Sequence, residues 1–225
     1  MKKIHACIFD LDGTLFDSTA MWAQVDKDFL AKRGFAVPSD YRAHIATMSF
    51  AEASAYTVKR FQLKEDPAAL CEEWFAMVEQ AYAERIELKA GAGAYLRTLK
   101  AAGAKLAVAT SSTPRLYRVA LEHLQIAGLF DYVASADQVG VGKERPDVYL
   151  FAAARLGIKP EHCLVYEDML KGLCSAKAAG MVTAAVLDEA SMTDWEALRR
   201  EADLSFCDYA NAPNLAALGL LPVKA

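Results

Sequence analysis

Residues 4–18 constrain this chain more than any other stretch. The run from Ile4 to Phe9 is apolar and β-prone and reads as a buried strand. Two carboxylates, Asp10 and Asp12, appear just where that strand should end. Side chains at i and i+2 of an extended segment point to the same side, so the two acids should converge. At close range they raise each other's pKa unless a cation or a proton lies between them. Gly13 follows and can take backbone angles that a side chain would forbid. Because an open α/β sheet binds its ligands at the carboxyl ends of its strands, the pair marks a candidate metal site.

After Ser18 the period becomes helical. Met21, Trp22, Val25, Phe29 and Leu30 share a face, and Gly34 is the expected stop. Further helical stretches start near Pro38 and cover 51–61 and 67–85, while 44–49 read as a loop or broken helix. Gly91 and Gly93 read as a hinge or turn. Beyond them helix and strand alternate, as a parallel sheet requires. Helices are expected at 94–102, 114–124, 146–156, 172–179 and 195–201, and strands at 105–110, 132–135, 163–166, 182–187 and 204–207. The tail from Ala212 reads as surface coil or a short helix. The expected fold is α/β, a Rossmann-like parallel sheet flanked by helices and built from residues 1–16 and 89–225. An all-helical insertion at 17–88 leaves directly from the paired acids and is expected to cover them as a lid.

Composition narrows the function classes. With 225 residues, 54% of them hydrophobic and 24% charged, the chain has enough apolar content for a sizeable core. A net charge of −4 argues against a nucleic-acid or anionic-membrane partner. No apolar run is long enough to span a bilayer, and the apolar stretch after Lys2 and Lys3 ends at Asp10 without a cleavage site. Cys7, Cys71, Cys163, Cys174 and Cys207 are scattered and form no C-x-x-C pair. They read as thiols in a reducing cytoplasm rather than as disulfides or zinc ligands. Oligomeric state is left open, a monomer included.

Four polar signals fall at predicted strand ends or the loops after them: Asp10 with Asp12, Thr110-Ser111-Ser112, Lys143, and Glu167-Asp168. In a parallel sheet these ends converge on one face. Carboxylates suit a hard divalent cation such as Mg2+, which keeps some waters and binds substrate phosphate oxygens. A hydroxyl and a lysine would neutralise the remaining phosphate charge, which is the main demand of phosphoryl transfer. A carboxylate at such a centre can itself act as nucleophile. Gly140-Val141-Gly142-Lys143 is not a P-loop, since Asp137 and Glu144 break that pattern.

Asp10-Leu11-Asp12-Gly13-Thr14 matches the D-x-D-x-[TV] signature of the haloacid dehalogenase-like superfamily, and Thr110, Lys143 and Glu167-Asp168 resemble its three later motifs in order. The insertion resembles the cap of phosphoglycolate phosphatases and β-phosphoglucomutases. The resemblance implies an Mg2+-dependent hydrolase of a small phosphorylated metabolite. Asp10 would be the nucleophile and Asp12 the general acid and base. Thr110 and Lys143 would bind the phosphoryl oxygens and hold Asp10, with backbone N–H groups near Leu11 and Ser111 completing the cradle. The metal would sit on Asp10, the Asp12 carbonyl and Asp168, with Glu167 at or behind it. Glu144 and Met169 depart from the common motif residues. Trp22 stands where β-phosphoglucomutases carry a histidine, and Phe50 near where they carry a basic residue, so a phosphosugar mutase is the weaker alternative. A non-catalytic phosphate-binding module is weaker still.

Other residues have plainer readings. Met21, Trp22 and Phe50 read first as the core of the insertion, although Trp22 lies in the first turn beyond the hinge and could face substrate. His5 reads as a core histidine, and His44 stands near the cap loop. Glu72, Glu73, Glu79 and Glu84 read as a solvated helix face.

Overall fold

In the computed structural model, residues 3–45, 48 and 50–220 are described, Ala43 by its backbone alone. Six strands make one sheet: β1 (Ala6–Phe9), β2 (Lys105–Thr110), β3 (Tyr132–Ser135), β4 (Cys163–Glu167), β5 (Val182–Val186) and β6 (Leu204–Phe206). Their spatial order is β3-β2-β1-β4-β5-β6, and every pairing is parallel. β1 therefore lies between β2 and β4, and its four residues are fully buried. Continuous apolarity, rather than alternation, is what a strand covered on both faces requires.

The helices in chain order are α1 (Thr19–Ala31), α2 (Tyr41–Ile45), α3 (Phe50–Phe61), α4 (Pro67–Glu84), α5 (Ala92–Ala101), α6 (Pro114–His123), α7 (Ala136–Val139), α8 (Asp147–Leu156), α9 (Leu170–Ala178) and α10 (Trp195–Glu201). One face of the sheet packs Ala6, Ile8, Ala107, Ala109 and Val165 against Val148, Tyr149, Ala152 and Ala153 of α8. Elsewhere in the sheet Phe9 stacks on Tyr166, with ring centroids 4.2 Å apart. No helix among the described residues is long and apolar enough to cross a membrane.

The chain forms two compact units, one from the residues up to Thr19 together with those from Ile86 onward, the other Ala20–Arg85. Within the first unit the outgoing and returning segments run side by side. Phe16 makes an antiparallel bridge to Leu88, the Asp17 N–H donates to the Glu87 carbonyl at 2.9 Å, and the Lys89 N–H donates to that of Leu15 at 2.9 Å. In the second unit Phe29 of α1 stacks on Trp74 of α4 at 5.0 Å. Asp66 caps α4 and Pro67 starts it, the pairing expected at a helix N-terminus.

Several expectations are corrected. His5 is exposed, although Ile4 and Ala6 on either side are buried: its side chain turns outward and its ring stacks on His162 at 4.8 Å. Glu73 does not simply face water: it pairs with Lys32 at 3.0 Å and Arg33 at 2.5 Å. α5 begins at Ala92, directly after Gly91 at φ +83°, so Gly93 belongs to the helix and not to a hinge. β4 runs one residue further than its apolar pattern, to Glu167. Of the segment read as loop or broken helix, His44 and Ile45 close α2, while Ala46, Thr47 and Ser49 lie outside the described residues, as does the tail beyond Leu220.

Candidate active site

The register of β1 against β4 builds the centre of the site. Phe9 pairs with Tyr166, so Asp10 and Glu167 follow at the same level, and the Asp10 N–H donates to the Tyr166 carbonyl at 3.1 Å. Asp168 comes next in the chain. One carboxylate oxygen from each of Asp10, Glu167 and Asp168 lies within 4.8 Å of the others, and all three side chains are buried. The Asp12 side chain is half-buried and does not belong to this trio.

Lys143, in the loop between α7 and α8, puts its ammonium 2.5 Å from Asp10 Oδ1 and also pairs with Glu167 Oε1. Its backbone is held in turn, since the Ser175 hydroxyl of α9 donates to the Lys143 carbonyl at 2.6 Å. Glu167 is saturated from other sides too: the Tyr149 hydroxyl donates to Oε1 at 2.6 Å and the Met169 N–H to Oε2 at 3.1 Å. Asp168 Oδ1 accepts the Thr14 hydroxyl at 2.9 Å. Gly13 sits at φ +78°, and a Cβ there would run into the Asp168 carboxylate. Glycine is thus required twice over, by conformation and by space.

Burial is the main cause of the electrostatics. It raises the Asp10 pKa to about 7; Lys143 opposes the shift and Glu167 reinforces it. Asp168 is raised well above the carboxylate range by burial, then by Glu167 and Asp10. Burial works against the Lys143 ammonium as well, but Asp10 and Glu167 outweigh it and hold its pKa above the ordinary value. Ionising all three buried carboxylates against one ammonium would leave negative charge uncompensated, which is why the two aspartates are pushed up. Oxygen-only donors with that charge fit a hard divalent cation such as Mg2+.

Thr110 closes β2, beside β1, and is buried; its Oγ1 accepts the Ser112 N–H at 3.0 Å. Ser111 between them is exposed. The Ser112 and Thr113 hydroxyls are buried without a hydrogen-bond partner among the described residues. The Leu11 carbonyl accepts the N–H groups of Thr14, Leu15 and Phe16, which curls the loop carrying Asp12 into a tight turn. Trp22 and Phe50 lie in the helical unit, their rings 6.1 Å apart.

Sequence reasoning singled out neither Tyr149, nor the Thr14 hydroxyl, nor Ser175. Tyr149 had a legible signal, since a phenol on an apolar helix face needs a buried acceptor. Ser175 and Thr14 act through contacts 32 and 154 residues away in sequence, which no local pattern reports.

A parallel sheet whose central strand ends in this lysine-bridged acid cluster defines a class of hydrolase. The model of the haloacid dehalogenase-like hydrolase family matches residues 4–180, and the chain belongs to that family. It is 32% identical over 185 residues to the putative phosphatase YhcW of Bacillus subtilis, covering 79% of this chain and 81% of that one. It is 31% identical over 187 residues to the fructose-1-phosphate phosphatase YqaB of Escherichia coli, covering 80% and 95%. A crystal structure of a hydrolase of the same family from Deinococcus radiodurans, with bound phosphate and sodium, superposes with a TM-score of 0.78 at 29% identity, covering 98% and 99%. With its family and its phosphatase relatives, the chain is a phosphomonoester hydrolase.

Proposed function

We propose that this enzyme is an Mg2+-dependent phosphatase of small phosphorylated metabolites, sugar phosphates foremost, working through an aspartyl-phosphate on Asp10. The observation that carries the reading is the Lys143 ammonium seated between Asp10 and Glu167 beside the buried Asp168. An ionised, oriented carboxylate next to a fixed cation is what attack on phosphorus needs. Sugar phosphates are favoured because a fructose-1-phosphate phosphatase is among the relatives.

In this mechanism the Asp10 carboxylate attacks the phosphorus while Asp12 gives a proton to the leaving oxygen. Asp12 then takes a proton from the water that attacks the phospho-Asp10, and phosphate leaves. The Lys143 ammonium and the Thr110 hydroxyl hold the phosphoryl oxygens, with the Leu11 and Ser111 N–H groups completing the cradle. Lys143 also opposes the rise that burial imposes on the Asp10 pKa, favouring the ionised nucleophile. Asp10, Asp168 and the Asp12 carbonyl would hold Mg2+, with Glu167 orienting Lys143 behind them. The ion would offset phosphate charge that one lysine cannot.

Residues 17–88 serve in this reading as a cap that governs substrate entry. Its support is chain order: the helical unit is inserted directly after the loop carrying Asp10 and Asp12. The reading is tested by phosphate release over a panel of sugar and nucleoside monophosphates with and without Mg2+. Asp10→Asn should abolish turnover of every substrate hydrolysed. Activity within tenfold of wild type in that variant would remove Asp10 as nucleophile.

A further inference from the structure

The segment after β6 lies outside residues 4–180, the part that the family model matches. It is nevertheless pinned at three points. At the amino end of β1 the Ile4 N–H donates to the Leu218 carbonyl at 3.1 Å. On α5, the Tyr95 hydroxyl donates to the Pro213 carbonyl at 2.8 Å. Beyond the carboxyl end of β1, the buried Tyr209 donates its hydroxyl to the Thr14 carbonyl at 3.0 Å. Thr14 is itself fully buried, and its own hydroxyl holds Asp168 Oδ1. Tyr209 is therefore two hydrogen bonds from a carboxylate of the acid cluster.

Packing alone does not call for that hydroxyl. The Tyr209 ring meets Tyr95 at 5.5 Å and Phe206 at 5.2 Å, and its Cβ lies against Gly91, where a substituent on the glycine would come within 3.2 Å. A phenylalanine would make the same contacts. The oxygen has one described use, which is to satisfy and fix the Thr14 carbonyl.

We propose that Tyr209 is a positioning residue for phosphoryl transfer: its hydroxyl anchors the Thr14 backbone so that the Thr14 side chain holds Asp168 in place. The inference rests on the phosphatase reading for its kinetic consequence, but not for its effect on metal binding. Partners that orient a metal ligand from behind change affinity or rate by about 10–100-fold when removed.

The test compares Tyr209→Phe with Tyr95→Phe in the 225-residue chain. The second variant loosens the same segment at Pro213, and also frees the Tyr166 hydroxyl that meets Tyr95 at 2.7 Å, without touching Thr14. Mg2+ binding is followed by titration calorimetry, turnover by phosphate release, and folding by the thermal melt. Tyr209→Phe should weaken Mg2+ binding and lower kcat by roughly tenfold each, with KM little changed and a cooperative melt retained. Tyr95→Phe should leave Mg2+ binding and kcat near wild type. Equal losses in both variants, no loss in Tyr209→Phe, or loss of its cooperative melt would each overturn the proposal, because the hydroxyl would then be structural or idle. A wild-type protein that binds Mg2+ but releases no phosphate would sink the phosphatase reading, while the calorimetry would still decide the role of Tyr209.

Discussion

The Lys89 ammonium lies 2.8 Å from Asp188 Oδ2, and it also donates to the Leu187 carbonyl at 2.9 Å. The other oxygen of the same buried carboxylate accepts the Thr19 hydroxyl and the Ala190 N–H, each at 2.9 Å. Thr19 is the last residue before the helical unit, and Lys89 follows shortly after the return. One acid thus ties the stretches of the first unit just before and just after the insertion to the loop after β5.

Removing that acid should cost more than removing its partner. Asp188→Asn leaves a largely buried ammonium without a counter-charge and should lower unfolding stability by about 2–4 kcal/mol. Lys89→Met should cost less, because Thr19 and Ala190 still donate to Asp188. Urea-unfolding midpoints decide the order; a smaller loss in Asp188→Asn than in Lys89→Met would contradict this account.

Lys143→Met should lower phosphate release by at least about a hundredfold, the usual scale for losing a fixed charge stabiliser in a dry site. It removes the cation that faces both Asp10 and Glu167. A variant retaining a tenth of wild-type kcat would show that Lys143 is a structural counter-ion.

Gly172→Ala reverses an ordinary rule. Inside a helix the change normally gains close to 1 kcal/mol. Here, in the first turn of α9, the added Cβ would stand 2.6 Å from the Tyr149 hydroxyl and 2.7 Å from Glu167 Oε1. Those atoms are buried and hydrogen-bonded to each other, so overpacking should win and cost about 1–3 kcal/mol. Equilibrium unfolding reads it, and a stabilised variant would show that the pair yields freely.

Asp26 supplies a pH dependence of stability in the helical unit. Burial raises its pKa from 3.8 to about 6, with Arg42, 3.9 Å away, opposing the shift only in part. Between those values the folded chain holds a proton that the unfolded chain has released. Its contribution to stability therefore falls as pH rises through that window and levels off above it. Asp26→Asn should be more stable than wild type at pH 7, by about 1–3 kcal/mol, and nearly equal to it at pH 4. Denaturation at both pH values checks this; the same difference at each would remove Asp26 as the source.

The sheet and the four motif positions were legible because their signals are local. Apolar runs bounded by polar residues mark β1, β2 and β4, and a parallel sheet brings their carboxyl ends together without further information. Glu167 shows the limit of that method: its charge argued for ending β4 at Tyr166, yet two donors and a lysine let it finish the strand buried. His5 misled in the opposite sense, since apolar neighbours implied burial of a side chain that turns outward. Thr14 to Asp168, Ser175 to Lys143 and Tyr209 to Thr14 depend on tertiary placement, which no spacing encodes.

The insertion also bears on how the chain is made. β1 leaves the ribosome before the rest of its sheet, but Ala6 finds its partners only at Lys105 and Cys163. Loop closure over such spans adds little to the equilibrium cost, since each doubling of length adds only about 0.6 kcal/mol. It does slow the search for the pairing. Residues 20–85, which form a compact unit of their own, can settle while β1 still exposes both backbone edges. The strand that leads into Asp10 is thus an apolar segment with open edges during synthesis. Substitutions that weaken its pairing with β2 should show first as aggregation of nascent chains, before any loss of activity in the molecules that fold.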